Sequence, residues 1–281
     1  MLKQLTTTVI LLLALCLAAA AQEPEQGKIV TNAQMIGIGS TNILDTYISP
    51  EKYNGTEIRY MSHTVRQKLR QQPVDTLSHR FGRRLSTELI HQGYLSYSEN
   101  RAGEGAGIAG MYSFSYGVHY NWSLSGGRLA LKAGAQVDAN LGFLYNTRNS
   151  NNPAQARVNI DLAPSAAVSY RFRLGRLPMA VGYEVSVPMV GLMFSPNYGQ
   201  SYYEIFNEGN YDHNIVATTI GCAPRMRQMV TLDFHLRHSA IRIGYVGDID
   251  QYEVNNLKYH NYSNLFMIGY VRRFKSIKLK P

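Results

Sequence analysis

Between residues 157 and 172 the chain alternates without a break. Val158, Ile160, Leu162, Pro164, Ala166, Val168, Tyr170 and Phe172 fall on one side, and Arg157, Asn159, Asp161, Ala163, Ser165, Ala167, Ser169 and Arg171 on the other. A period of two places successive side chains on opposite faces of a strand. Strands of soluble proteins are typically about 5 to 6 residues long, whereas a tilted strand that crosses a bilayer needs roughly 9 to 11. This run has the second length. The same pattern recurs from Leu129 to Tyr145, from Tyr112 to Trp122, from Met179 to Met189 and from Val230 to Leu236. Long amphipathic strands in this number predict an all-β fold, an antiparallel transmembrane β-barrel of the outer-membrane type.

The strands are predicted at 33–45, 56–67, 85–97, 111–123, 129–145, 157–172, 179–193, 228–237, 240–247 and 264–274, about ten in all. With the N-terminus in the periplasm, the short connectors 124–128, 173–178 and 238–239 lie on the periplasmic side. The connectors 99–110, 146–156, 194–227 and 248–263 face outward, and 63–84 is an unusually long periplasmic one. Residues paired across a hairpin must share a face. A turn at Gly175-Arg176 accordingly pairs Phe172 with Met179 and Tyr170 with Val181. One centred on Ser125-Gly126 pairs Trp122 with Leu129 and His119 with Lys132, and one at His238-Ser239 pairs Leu236 with Ile241 and His235 with Arg242.

Alternation alone does not say which face is inside, and a soluble barrel or sandwich is the alternative. Two features favour lipid outside. The polar faces carry small residues suited to a crowded lumen, such as Gly134, Gly142, Ala163, Ser113 and Ser115, and the apolar faces turn aromatic toward the strand ends, at Tyr120 and Trp122, Tyr170 and Phe172, Phe143 and Tyr145. Aromatic girdles at both interfaces are built in this way. Substitution on the polar face is expected to be milder than on the lipid face.

Residues 1–21 combine Lys3, an apolar stretch and a run of alanines before Gln22. That is a secretory signal cleaved near Ala21, leaving 22–281 as a single barrel domain. A lipoprotein signal at Cys16 is disfavoured because Leu15 is not small. Of the two cysteines only Cys222 would survive cleavage, so no intramolecular disulfide is available. Beyond the signal no apolar stretch is long enough for a membrane helix. The formal charge of +9 raises nucleic acid as a partner. The cations are dispersed, however, and the densest group, at Arg66, Lys68, Arg70, Arg80, Arg83 and Arg84, reads as a solvated turn. No nucleic-acid partner is expected. Twenty tyrosines suit a membrane interface. The terminal strand, ending at Phe274, resembles the signal read by outer-membrane assembly machinery, although the tail 275–281 departs from that pattern. The partners expected are outer-membrane lipid and that machinery.

The segments 44–57, 194–206 and 211–214 (LDTYISPEKYNGTE, FSPNYGQSYYEIF and YDHN) resemble a family of Gram-negative envelope proteins catalogued as domain of unknown function 3316. The resemblance covers most of the chain after the signal and implies an outer-membrane location. It brings no catalytic residues.

The chemistry legible in the sequence is sparse. His119, Lys132, Asp138, Asp161, Glu184, Asp233, His235 and Arg242 fall on the lumen face, with Arg157, Arg171 and Arg237, and are read as a charge network that plugs a narrow barrel. Asp212-His213 in the outer loop is a speculative pair for activating water. Pro164 and Pro188 come side by side in adjacent strands, Pro164 facing Val187 and Pro188 facing Ala163. Neither can donate to the ladder. They mark either a shared bulge or a lateral gate through which a lipid-like ligand reaches the lumen. No Ser and His in sequence arrangement, metal-ligand spacing or phosphate loop stands out. No catalytic residue, metal site or cofactor is therefore expected. The reading is a non-enzymatic barrel, structural or binding lipid or a small ligand. The alternatives are a surface-facing barrel enzyme acting on lipid or peptide, and an interaction protein using the 194–227 loop, which is favoured if that loop is ordered and exposed.

Overall fold

The computed structural model describes residues 28–68, 84–149, 152–236 and 239–276. The signal segment, Arg70, Arg80, Arg83, Arg237, His238 and the tail beyond Ser276 lie outside the described residues. Twelve strand segments follow one another: β1 (Lys28–Asp45), β2 (Ser49–Lys68), β3 (Leu85–Asn100), β4 (Ala106–Leu124), β5 (Leu129–Asn146), β6 (Ala154–Leu174), β7 (Leu177–Ser186), β8 (Val190–Phe194), β9 (Ile215–Thr219), β10 (Arg225–His235), β11 (Ser239–Val254) and β12 (Leu257–Ser276). A single helical turn, α1 (Tyr202–Phe206), lies between β8 and β9. Segments β7 and β8 run end to end along β6, and β9 and β10 run end to end beside them, so the segments make ten staves.

Every stave is antiparallel to its neighbours, and β1 pairs with β12 from Lys28↔Ser276 to Asp45↔Tyr259, which closes the sheet. Closure leaves no stave edge along this seam to offer unpaired backbone groups, the condition a lipid environment imposes. The seam is tight. A Cβ on Gly39 would lie 1.9 Å from the carbonyl oxygen of Asn264, so no other residue fits there without moving β12.

The apolar face is outside. Ile36, Ile38, Leu95, Leu141, Ile160 and Phe266 are all exposed. Outward aromatics gather toward both ends of the staves. Tyr120 packs edge-on against Trp122, and Tyr170 stacks on Phe172, at the end where the turns are short. Tyr97, Phe143 and Tyr145 lie toward the other. We call these the turn end and the cap end.

Register agrees with expectation at one hairpin and corrects it at two. Phe172 pairs with Met179 and Tyr170 with Val181. At the next turn Trp122 pairs with Leu131 and His119 with Gly134, two residues away from the expected pairing. Ser125, Gly126 and Gly127 all have positive φ, and this lengthens the turn. Between β10 and β11, Phe234 pairs with Ile241 and Asp233 with Arg242. That shift places opposite charges side by side, where Arg242 Nε donates to Asp233 Oδ1 at 2.6 Å. A shift of two keeps every side chain on its face.

The predicted loop 248–263 is mostly strand. β11 and β12 run on to a two-residue turn at Asn255-Asn256, whose φ angles of 52 and 60° suit a type I′ hairpin. The expectation ended each strand where its outer face stopped being apolar. Here Gln251, Glu253, Lys258 and His260 continue the outer face as a polar collar beyond the apolar band. The interior also departs from a purely polar lumen. Met35, Met61, Ile90, Met229, Val246, Leu265 and Met267 form a buried core inside the barrel, and a second cluster including Ile43, Ile48, Leu144, Met193, Tyr252 and Tyr259 fills the cap end.

Ile160, 56% exposed on the outer face, provides the test of orientation. Ile160→Arg should destabilise the folded barrel by about 2 to 4 kcal/mol near the midplane of a bilayer, read from denaturant titration in vesicles. Ile160→Leu should be silent, and equal effects of the two changes would refute the assignment of faces.

Candidate functional site

The lumen holds two ionic layers. The one nearer the cap end is built from alternate positions of seven strands. Arg225 on β10 grips Asp161 on β6 with two parallel hydrogen bonds, Nη1 to Oδ2 at 2.6 Å, and Asn159 also donates to that carboxylate. Arg59 on β2 donates to Glu57 Oε1 at 2.7 Å and contacts Asp248, which also accepts from Arg227 Nε at 2.8 Å. The second oxygen of Glu57 accepts from Ser263 Oγ at 2.6 Å. Asp138 accepts from Gln136 Nε2 at 2.7 Å and lies opposite Asp161 in the β5–β6 register. Higher still, Arg157 lies 3.9 Å from Asp45 and 3.5 Å from Asp250, with its guanidinium 3.1 Å from the centroid of the Tyr259 ring. An unpaired charge here would bear the desolvation cost alone, which alternating signs avoid.

Toward the turn end, Glu88 on β3 gathers groups from three other strands. Lys132 Nζ donates to both its oxygens at 2.6 and 2.7 Å and reaches Glu184 Oε2 at 3.2 Å. His63 Nε2 contacts Glu88 Oε1, and His119 Nδ1 lies 3.1 Å from Oε2. His119 Nε2 is 2.6 Å from Ser165 Oγ on β6. Within the cap-end layer the free space is about 70 Å³, bordered by Arg59, Arg225 and Asp248 and also by Asn140, Ser186 and Pro188. That is room for a water or two and not for an open channel.

Of the residues singled out in the sequence, His119, Lys132 and Glu184 meet in the turn-end layer, while Asp138 and Asp161 meet in the other. Asp233 and Arg242 pair with each other, and His235 is half-buried at the end of β10 and belongs to neither layer. Arg171 is exposed at the turn end. His63, Glu88, Ser165, Arg225, Glu57, Arg59 and Asp248 were not foreseen as partners. Ser165 was already on the polar face of β6, and alternation would have placed the others inward once the phases of β2, β3, β10 and β11 were known.

Pro164 faces outward on β6, and Pro188 sits in the break between β7 and β8. Ser165 pairs with Ser186 but Leu162 pairs with Val190, so the β7–β8 stave contains one extra residue. The bulge inverts the phase of the stave. Outward positions are Val181 and Tyr183 before it, Val190 and Leu192 after it. The wall stays continuous, because Val187 N donates to Pro164 O at 3.1 Å and Met189 N to Leu162 O at 3.0 Å. A gate at the prolines would have to break both bonds.

The 194–227 loop is ordered. A capping box starts α1: Glu204 N donates to Ser201 Oγ at 3.2 Å, and Ser201 N donates to Glu204 Oε2 at 2.6 Å. The Ser201 N–H holds the Glu204 carboxyl below the usual carboxylate range. Phe206 stacks on both Phe194 and Tyr202, which meet each other at a tilt. Tyr47 donates to Gln200 O at 2.9 Å, Ala156 N donates to the Tyr202 hydroxyl at 2.7 Å, and Asn255 Nδ2 donates to Ser195 O at 3.1 Å. The β1–β2 turn, the start of β6 and the β11–β12 turn thereby tie the loop across the mouth as a cap. Burial pushes the Tyr202 hydroxyl above its ordinary range. Asp212 and His213 lie on this cap 2.6 Å apart, with side chains 76% and 79% exposed. They are in contact, yet no pocket surrounds them.

An inside-out barrel, sealed by ion pairs and core side chains and capped at one mouth, is a transmembrane β-barrel of the closed type. This chain belongs to the family described as Protein of unknown function (DUF3316), whose model matches residues 7–281. Among solved structures it is similar to the transport unit of the autotransporter AIDA-I from Escherichia coli, at 7% identity over 92% of each chain with a TM-score of 0.48. It is also similar to the translocator domain of autotransporter NalP from Neisseria meningitidis, at 10% identity over 96% of each chain with a TM-score of 0.38. Neisserial surface protein A is a third, at 12% identity over 88% of this chain and 97% of that one, with a TM-score of 0.33. Among curated proteins no sequence matches.

The Asp161–Arg225 pair makes the polar face less tolerant than its composition suggests, since Asp161 is 2% exposed. Arg225→Met should cost about 3 to 5 kcal/mol by stranding a buried carboxylate. Arg225→Met with Asp161→Leu should recover most of that loss in the same unfolding titration. A double variant no better than the single one would show that the pair does not carry the charge balance.

Proposed function

We propose that the protein resides in the outer membrane as a non-conducting barrel, turn end in the periplasm and cap outside, and binds a protein partner through the cap. The observation that carries this reading is the cap itself. It is held by its own hydrogen bonds, yet it leaves Tyr198, Tyr203, Phe206, Tyr211 and Ile215 exposed. Large aromatic side chains on an ordered surface are costly in water and typical of binding surfaces. The filled lumen supports the non-conducting part, and the apolar band with its two aromatic belts supports the membrane setting.

A second reading, lipid binding, is favoured by a groove of about 480 Å³ on the outer wall. Ala133 and Ala166 form its floor, and Trp122, Leu131, Val168 and Tyr183 rise around it. Its apolar lining suits an acyl chain held against the barrel.

One experiment addresses both readings. A photo-reactive amino acid is placed at Tyr203, at Ala166 or, as a control, at Ile160 in cells expressing the full chain. The cap reading expects a discrete protein adduct at Tyr203 that disappears on Phe206→Ser, and the groove reading expects a lipid adduct at Ala166 in excess of that at Ile160. In planar bilayers the purified barrel should show no steady conductance. Stable channels would overturn the closed-barrel reading.

A further inference from the structure

The turn-end layer contains an arrangement that charge balance does not require. Ser165 Oγ lies 2.6 Å from His119 Nε2, and the other ring nitrogen lies 3.1 Å from Glu88 Oε2. Nδ1 sits off the line of a full hydrogen bond and has no other partner among the described residues. A nitrogen facing a carboxylate carries the proton. Nε2 is then the basic nitrogen, and the Ser165 hydroxyl donates to it. Lys132 and His63 hold Glu88 from its other sides. This is the order nucleophile, base and orienting anion, which is recognised by geometry whatever the chain order. In enzymes without substrate such hydrogen bonds are often poorly aligned.

Among the described residues, those around the relay are less buried on one side than on the other. On β5, β6 and β7 the inward positions nearer the turn end, including Ala130, Lys132, Ala167, Ser169, Gly182 and Glu184, are only half-buried, while Gln136, Asp138, Asp161 and Ala163 beyond the relay are buried. Among the described residues the turn end of the lumen thus has small, half-buried side chains on one wall, and Ser165, itself 7% exposed, lies where these give way to buried positions. On the cap side the relay is shut off by ion pairs and core residues.

We propose that Ser165 and His119, with Glu88 as a positioning residue, form a hydrolytic site for small carboxylic esters that enter from the turn end. Ser165 Oγ bonds to the ester carbonyl carbon as its proton passes to His119 Nε2. Collapse breaks the bond to the alcohol, which leaves with that proton. Water then gives a proton to His119 and adds to the acyl-serine. Release of the carboxylic acid returns the proton to Ser165, and nothing is oxidised or reduced.

The test uses the full-length barrel refolded in detergent, with the shift in gel mobility on boiling as the check of folding. A fluorophosphonate probe should modify Ser165, located by peptide mass spectrometry, and p-nitrophenyl acetate should be hydrolysed. Ser165→Ala should lose both. His119→Gln, which keeps a polar side chain, should slow hydrolysis by roughly 10² to 10⁴-fold. Ser186→Ala, across the β6–β7 ladder from Ser165, should change neither. Removing the anion beside an imidazole disfavours its protonated form, so Glu88→Gln should move the midpoint of the pH–rate profile downward. The proposal is overturned if folded wild-type protein gives no adduct at Ser165, if Ser165→Ala hydrolyses the ester at the wild-type rate, or if the Glu88→Gln midpoint does not move.

Discussion

Charged groups inside a narrow barrel have little water to solvate them, and the whole interior is arranged around that fact. Asp161 lies against Arg225, Asp233 against Arg242, Asp248 against Arg59 and Arg227, and Glu88 against Lys132. Each pair joins two staves, some far apart in sequence as with Asp161 and Arg225 and some neighbours as with Asp233 and Arg242, and so fixes their relative height. Such pairs add modest net stability, because their attraction mainly offsets desolvation; breaking one is expensive. They act more as registration marks than as glue. The apolar core of Met35, Met61, Met229 and Met267 fills what the ion pairs leave, and flexible methionines suit so irregular a space.

How much of this was legible in the sequence depended on what each strand turns inward. Along β4, β5 and β6 the inward residues apart from Met111 and Leu144 are polar or small, the alternation is sharp, and both strand and face could be read directly. On β1, β11 and β12 the inward positions include Met35, Val246, Leu265 and Met267, so both faces are apolar and the period weakens. Strand ends were misread for a related reason. Beyond the apolar band the outer face becomes polar, as at Gln251 and Lys258, and hydropathy no longer separates strand from loop. The bulge at Val187–Met189 was suggested by two prolines. Its inversion of phase was not, since one inserted residue leaves no mark in composition. The meeting of Ser165, His119 and Glu88 was hidden for a deeper reason: it depends on a Gly134-to-His119 register that one longer turn had moved by two residues.

The cap shows how a loop becomes a surface. A segment of some twenty residues between staves would ordinarily carry a large ordering cost. Here the capping box on α1 and bonds from Tyr47, Ala156 and Asn255 set its shape before any partner arrives. Preorganisation of this kind lowers the cost of binding, because little freedom remains to be lost. It also explains why exposed aromatics are tolerated there. Phe206 is held against Phe194 and Tyr202, and the buried Ile205 anchors the helical turn that carries them.

The pairing of β1 with β12 has a consequence for the time course of folding. Each other stave pairs with the stave next to it along the chain, several of them through short turns. The seam instead joins residues 28–45 to 259–276, almost the full length of the chain apart. Contacts so distant must wait until the intervening chain is organised, and they set the pace of assembly. Until the last strand arrives, the first offers an open edge with a complete row of unpaired donors and acceptors, a template for any other strand in reach. A chain stalled before β12 would present that edge for as long as it persisted, and the surroundings would have to shield it.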